Sequence, residues 1–214
     1  TTLRVLNKTA PYINITVDDL TVEIGSNVTF TVTTNSTANI TVKVNGEIKT
    51  PKDGIYSFNA TQAGRYTITA EVAENAEFFA AFNTTAVNVY KHAAELTVNA
   101  TPVSVVVGQN TTINVTMKHN ESGKLLIVVG DYTYLVNITQ GKANLTLALP
   151  IGPYTAKVYY FGDDKYNKTT GESSQFEVLN KTVPYINITV DNLTVEVDNE
   201  IIFTVPTNST DNIT

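Results

Sequence analysis

The 214-residue chain has no cysteine and no tryptophan, one methionine and two histidines. Without cysteine there is no disulfide framework, no thiolate zinc site and no catalytic thiol. Apolar runs are short, as in Leu125 to Val129, against the roughly 20 residues that a membrane-spanning helix needs, so no membrane insertion is expected of this segment. Positive charge is scarce too. Fourteen Lys and Arg against twenty Asp and Glu leave a net charge of -6, and the basic residues are scattered, whereas phosphate binding needs a concentrated positive field. Nucleic-acid binding is thereby excluded. Neither His92 nor His119 has a neighbouring Ser or carboxylate pattern, and no Gly-rich phosphate loop, nucleophile elbow or metal quartet occurs. Asp18-Asp19 and Asp163-Asp164 lack the alternating carboxylates of a calcium loop and read as turn-formers. The sequence therefore predicts no catalytic residue, no metal and no enzyme.

What the chain does have is hydrophobic content of 42%, enough for packed cores, and a long internal repeat. Leu6 to Thr41 returns as Leu179 to Thr214, with 26 of 36 positions identical at a shift of 173. Between the copies lies a diverged unit: Val22-Glu-Ile-Gly25 with Phe30-Thr-Val32 reappears as Val105-Val-Val-Gly108 with Ile113-Asn-Val115, a shift of 83. Ala63-Gly-Arg-Tyr66-Thr reappears as Ile151-Gly-Pro-Tyr154-Thr, a shift of 88. The period is thus a pair of units. Residues 1–9 are expected to end a preceding domain, 10–92 and 93–179 to form two domains, and 180–214 to begin a third that repeats 6–41.

Each unit reads as strand. Alternation with β-branched and aromatic residues marks Ile13 to Val17, Val28 to Val32, Ile40 to Val44, Tyr66 to Val72 and Ala86 to Tyr90, and no stretch keeps a 3.6-residue period. Turn chemistry separates the runs, at Asn45-Gly46, Asp53-Gly54, Gly130-Asp131, Gln140-Gly141 and Gly162-Asp163-Asp164. About seven short strands per unit is the count of an immunoglobulin-like sandwich, and Tyr66 and Tyr154, each just after a Gly turn, read as tyrosine corners. Val28, Phe30, Val32, Ile40, Val42, Ile68 and Ala70 are the expected inward set of the first unit.

At these residues the chain resembles the bacterial immunoglobulin-like repeat domains of adhesin-like surface proteins, including those of methanogenic archaea. The resemblance is carried by the Gly25 and Gly108 turns, the hairpins, the Gly64-Arg-Tyr66-Thr67 strand entry, and Tyr160-Phe-Gly162-Asp-Asp-Lys-Tyr-Asn167 before a final strand. The first unit departs from it at Glu74-Asn-Ala-Glu-Phe-Phe79. The resemblance covers nearly the whole chain and implies a stalk or spacer.

One chemical signal stands out. Of 23 asparagines, 19 open an N-x-[ST] sequon: Asn7, Asn14, Asn27, Asn35, Asn39, Asn59, Asn83, Asn99, Asn110, Asn114, Asn120, Asn137, Asn144, Asn167, Asn180, Asn187, Asn192, Asn208 and Asn212. Strand alternation pairs residues i and i+2 on one face in both chain directions. Here the bias has a direction. Ser or Thr lies two residues after 19 of the 23 asparagines and two residues before only 6. Asn is also a poor strand residue, so its use on strand faces needs another cause, and N-glycosylation supplies one.

These readings give a set of expectations. The fold is all-β, with tandem immunoglobulin-like β-sandwich domains in an elongated rod. The chain is a structural stalk or filament segment of an N-glycosylated, adhesin-like cell-surface protein, extracellular, with covalent N-glycans and no other cofactor. Its partners are neighbouring repeats, like chains in a filament, and surfaces of other cells. The alternative is an adhesive module that recognises a cell-surface glycan or protein through inter-strand loops.

Overall fold

A computed structural model describes residues 7–191 and 193–208, and every regular element among them is a strand. The first eight are β1 (Ile13–Val17), β2 (Thr21–Glu23), β3 (Asn27–Thr34), β4 (Ile40–Val44), β5 (Glu47–Lys49), β6 (Tyr56–Asn59), β7 (Gly64–Val72) and β8 (Ala81–Tyr90). They make two sheets, ordered β1-β3-β6 and β2-β8-β7-β4-β5. All pairings are antiparallel except β2 on β8, where Thr21, Val22 and Glu23 run alongside Asn88, Val89 and Tyr90. Sequence neighbours repeatedly change sheet, which is the Greek-key habit of immunoglobulin-like sandwiches.

The second sandwich repeats the plan with β9 (Leu96–Thr101), β10 (Ser104–Val106), β11 (Thr111–Met117), β12 (Gly123–Val129), β13 (Tyr132–Ile138), β14 (Lys142–Leu147), β15 (Gly152–Tyr154), β16 (Ala156–Tyr160), β17 (Thr169–Glu172) and β18 (Phe176–Leu179). Its sheets are ordered β14-β11-β9, β13-β12-β16-β17 and β10-β18-β15. The continuous β7 and β8 of the first sandwich are each split here. At the split the Ser173 hydroxyl accepts the Ala156 N–H at 3.0 Å, so a side chain takes over one rung of the ladder. Parallel pairing of β10 with β18 matches that of β2 with β8.

Burial follows the alternation. Phe30, Ile68, Ala70 and Val87 are fully inaccessible in the first core, as are Ile113, Leu125, Ile127 and Val158 in the second. Val32 and Ile40, expected inside, pack against the first core while only partly buried. The hairpins are as their sequences require. Asn45-Gly46 and Gln140-Gly141 adopt positive φ at both residues (48° and 84°, 50° and 70°), the type I′ geometry whose twist matches the flanking strands. Both tyrosine corners form: the Tyr66 hydroxyl accepts from the Gln62 N–H at 3.1 Å, and the Tyr154 hydroxyl donates to the Pro150 carbonyl at 3.0 Å.

The repeat continues in geometry. Strands β19 (Thr189–Val190) and β20 (Phe203–Thr204) pair Thr189 with Thr204 and Val190 with Phe203, the register of Thr16 with Thr31 and Val17 with Phe30 displaced by 173 residues. Phe203 is 62% exposed, whereas its equivalent Phe30 is 0% exposed.

Candidate functional site

The candidate functional residues are the sequon asparagines, and strand parity decides where they point. Asn192 and Asn212 lie outside the described residues. Every other sequon asparagine is exposed except Asn114, which is half-buried. In β1 the apolar Ile13, Ile15 and Val17 pack against the core, so Asn14 and Thr16 must face solvent, where the Asn14 amide donates to the Thr16 hydroxyl at 3.2 Å.

The small sheets carry the densest arrays. In the first sandwich Asn27 on β3 lies directly opposite Asn59 on β6. In the second, Asn114 on β11 lies opposite Asn99 on β9 and also opposite Asn144 on β14, making a row of three across three strands. The adjacent row is Thr101, Thr112 and Thr146, with the last two hydroxyls 2.9 Å apart. The large sheets carry Asn83 on β8 and Asn137 on β13, and the remaining described sequon asparagines lie outside the strands.

Several of these amides hold backbone. The Asn35 carbonyl accepts the Tyr12 N–H, and 173 residues on Asn208 accepts from Tyr185, both at 2.9 Å. Asn83 donates to the Ile13 carbonyl at 2.7 Å and Asn167 to the Lys91 carbonyl at 3.2 Å. An N-linked sugar replaces one of two amide hydrogens, so the oxygens of Asn35 and Asn208 still accept, and Asn83 and Asn167 each keep one donor.

The large-sheet face of the second sandwich differs from that of the first. Leu135, Leu126 and Tyr159 form one row across β13, β12 and β16, and Phe161 beyond them is 61% exposed. Tyr159, Phe161, Lys168 and Thr170 line an open groove of about 500 Å³. In the first sandwich the same face presents Lys43, Thr69 and Thr84, with Lys43 paired to Glu71 at 2.9 Å.

A second recurrent site is the segment that enters each sandwich. Thr9 makes a parallel bridge with Phe78, and His92 makes the equivalent one with Tyr166. The loops that receive them, Glu74 to Phe79 and Gly162 to Asn167, look unrelated in sequence yet are built alike. Asn75 Oδ1 accepts the N–H groups of Glu77 and Phe78, and Asp163 Oδ1 accepts those of Lys165 and Tyr166, all at 2.8 Å. The sequence signal was there in Asn75 and Asp163, which stand 88 residues apart, the shift of the tyrosine corners. Lys8 pairs with Glu74 in the first loop, and Lys91 donates to the Asp163 carbonyl in the second.

The sequence shows no partner pattern beside either histidine, and the structure supplies partners from elsewhere in the chain. His92 and His119 both lie against Tyr166, with ring centroids 5.5 and 5.7 Å from it. His92 Nδ1 is also 2.9 Å from Glu23 Oε2, at the end of β2. Burial pushes the Asp163 carboxyl up, but the N–H groups of Lys165 and Tyr166, the Tyr160 hydroxyl and the Ser122 N–H outweigh it and hold the group below the usual carboxylate range. Burial, then the same carboxylate, pushes the Tyr160 hydroxyl well above the usual phenol range. Glu121 is buried, which nothing in Asn120-Glu121-Ser122 signals. One oxygen accepts the His119 N–H at 2.8 Å, and Oε1 has no hydrogen-bond partner among the described residues. Among those residues no group of three or more His, Asp or Glu is placed to hold a metal ion, and no helix is long and apolar enough to cross a membrane.

No family model matches the sequence, and no curated protein matches it. Solved structures to which the chain is similar include titin domains Z1Z2 in complex with telethonin, at 12% identity and a TM-score of 0.46, covering 83% of this chain and 100% of that one. They also include the fibronectin(III)-like modules of Clostridium thermocellum CbhA (13% identity, TM-score 0.34, 78% and 95% covered) and the Yersinia pseudotuberculosis adhesin InvE (13% identity, TM-score 0.36, 78% and 59% covered). The immunoglobulin-like assignment rests on this chain's own strand order, register and tyrosine corners.

Proposed function

We propose that the chain is a segment of an extracellular stalk, built of tandem immunoglobulin-like sandwiches and coated with N-linked sugar at its exposed sequons. The observation that carries this is the directional excess of sequons together with the exposure of their asparagines, on strands and outside them, Asn14 with Thr16 on β1 being the simplest case. A glycan there leaves the apolar alternation of the strand untouched. Such a coat hydrates the surface and blocks sheet edges that could otherwise pair with another chain. The sequon asparagines are the proposed sites, residues 10–92 and 93–179 the proposed units, and like chains or neighbouring repeats the proposed partners. At a rise of about 3.3 Å per strand residue, a 173-residue pair extends a rod by about 80 Å.

The test is glycopeptide mass spectrometry of the protein secreted by an N-glycosylating host. Hexose-bearing peptides at Asn14, Asn35 and Asn59 are expected. Bare asparagines throughout would sink the proposal.

One observation favours a second reading, an adhesive module. Tyr159 near the end of β16 and Phe161 just beyond it line the groove on the large-sheet side of the second sandwich. Glycan-array binding that the Tyr159→Ala, Phe161→Ala double variant loses would make this the leading function.

A further inference from the structure

The register of the second sandwich gives the sugar coat a pattern. We infer that Asn99, Asn114 and Asn144 limit one another: Asn99 and Asn144 carry sugar together, and Asn114 stays bare in any molecule where both do. This rests on the glycosylation proposed above and adds a rule about which asparagines can be filled at once.

The three lie in one row, each directly opposite the next, across β9, β11 and β14. Opposed residues of an antiparallel pair stand only about 4.5–5.5 Å apart. An N-linked pyranose with its acetamido group, and the sugars beyond it, needs more lateral room than one such step. Asn99 and Asn144 have a way out. Their strands are the two edges of this three-stranded sheet, so each chain can lean outward. Asn114 has none, because a filled neighbour stands on either side.

Its own strand closes the other directions. Thr112 and Thr116 flank Asn114 on the same face, and the Asn114 amide already donates to the Thr112 carbonyl at 3.3 Å. Asn114 is also the one described sequon asparagine that is not fully exposed.

The first sandwich contains a control. Asn27 and Asn59 are opposed in the same way, but Asn27 opens β3 and Asn59 closes β6. No β1 residue faces Asn27, because β1 pairs with β3 only from Phe30 to Thr34. Two chains at a sheet end can diverge where three across a sheet cannot, so this pair is expected to be filled together.

Site occupancy in the full chain, secreted from an N-glycosylating host and digested with trypsin, tests the rule. The peptide from His92 to Lys118 carries three sequons, Asn99, Asn110 and Asn114, which fragmentation that retains the sugar tells apart, and the peptide after Lys142 reports Asn144. Occupancy at Asn114 is expected to be about tenfold below that at Asn99, as overlap at close-packed separations excludes the middle chain. In an Asn99→Gln, Asn144→Gln double variant, both changes being at exposed positions, Asn114 should rise to the level of Asn27. Equal filling of all three asparagines, or no rise at Asn114 in the double variant, would overturn the crowding rule while leaving glycosylation intact. A digest with sugar at none of these sites, Asn27 and Asn35 included, would overturn the glycosylation proposal and this rule together.

Discussion

At the scale of single residues, cohesion without disulfides depends on a few well-satisfied polar groups set among apolar ones. Tyr154 stacks on Phe176 with centroids 5.9 Å apart while its hydroxyl reaches back to the Pro150 carbonyl. Tyr154→Phe keeps the ring and removes one neutral hydrogen bond, so a loss of about 0.5–1.5 kcal/mol is expected in urea unfolding of the second sandwich. Phe30 sits in a different regime. It is fully buried between Tyr56, stacked at 5.3 Å, and Phe58 at 6.4 Å. Phe30→Ala should cost about 3–5 kcal/mol, enough to unfold the first sandwich while the tyrosine corner of the second stays intact by near-ultraviolet circular dichroism. Gly141 is constrained by backbone: its φ is +70° and an added Cβ would stand 2.3 Å from the His119 carbonyl oxygen. That clash explains a glycine which the turn signal Gln140-Gly141 accounted for only by conformation.

At the scale of elements, the strands were legible and their interruptions were not. Ile40 to Val44 is a strand with the bounds that alternation gives, because a half-buried strand writes its period directly into the sequence. The break between β17 and β18 depends on where the Ser173 hydroxyl lands, which no local pattern encodes. The loops at Asn75 and Asp163 failed for a related reason. Their function is held by one side-chain acceptor, and the residues around it are free to vary. They also differ in one testable respect. Asp163 has a depressed pKa, so the stability it gives is present above the ordinary carboxylate pKa near 4 and is lost as pH falls through its folded value. Asn75 makes the same bonds and cannot titrate. Acidification through the folded pKa of Asp163, below the ordinary carboxylate value, should therefore release the second loop and not the first, seen as faster amide exchange at Lys165 and Tyr166 than at Glu77 and Phe78. Asp163→Asn should abolish the difference. Of the candidate site, the exposure of the sequons on strands followed from parity, but their opposition across strands needed the register, which pairs residues 15 to 32 positions apart.

At the scale of the whole molecule, the entry segments Thr9 and His92 are bridged to the sandwich that follows them, and His92 also reaches Glu23 of the sandwich before. A joint held from both sides restricts bending, so small-angle scattering of the glycosylated chain should give an elongated, semi-rigid profile, and a compact profile would contradict the stalk proposal. The parallel pairs β2 on β8 and β10 on β18 add a mechanical consequence. In each sandwich the second strand from the entry, β2 or β10, lies alongside the last strand, β8 or β18, and points the same way. Tension applied along the chain pulls these partners in opposite directions, parallel to their length. Their hydrogen bonds are then loaded together in shear rather than peeled one at a time, so a pulled sandwich yields abruptly and at higher force than its thermal stability alone would suggest.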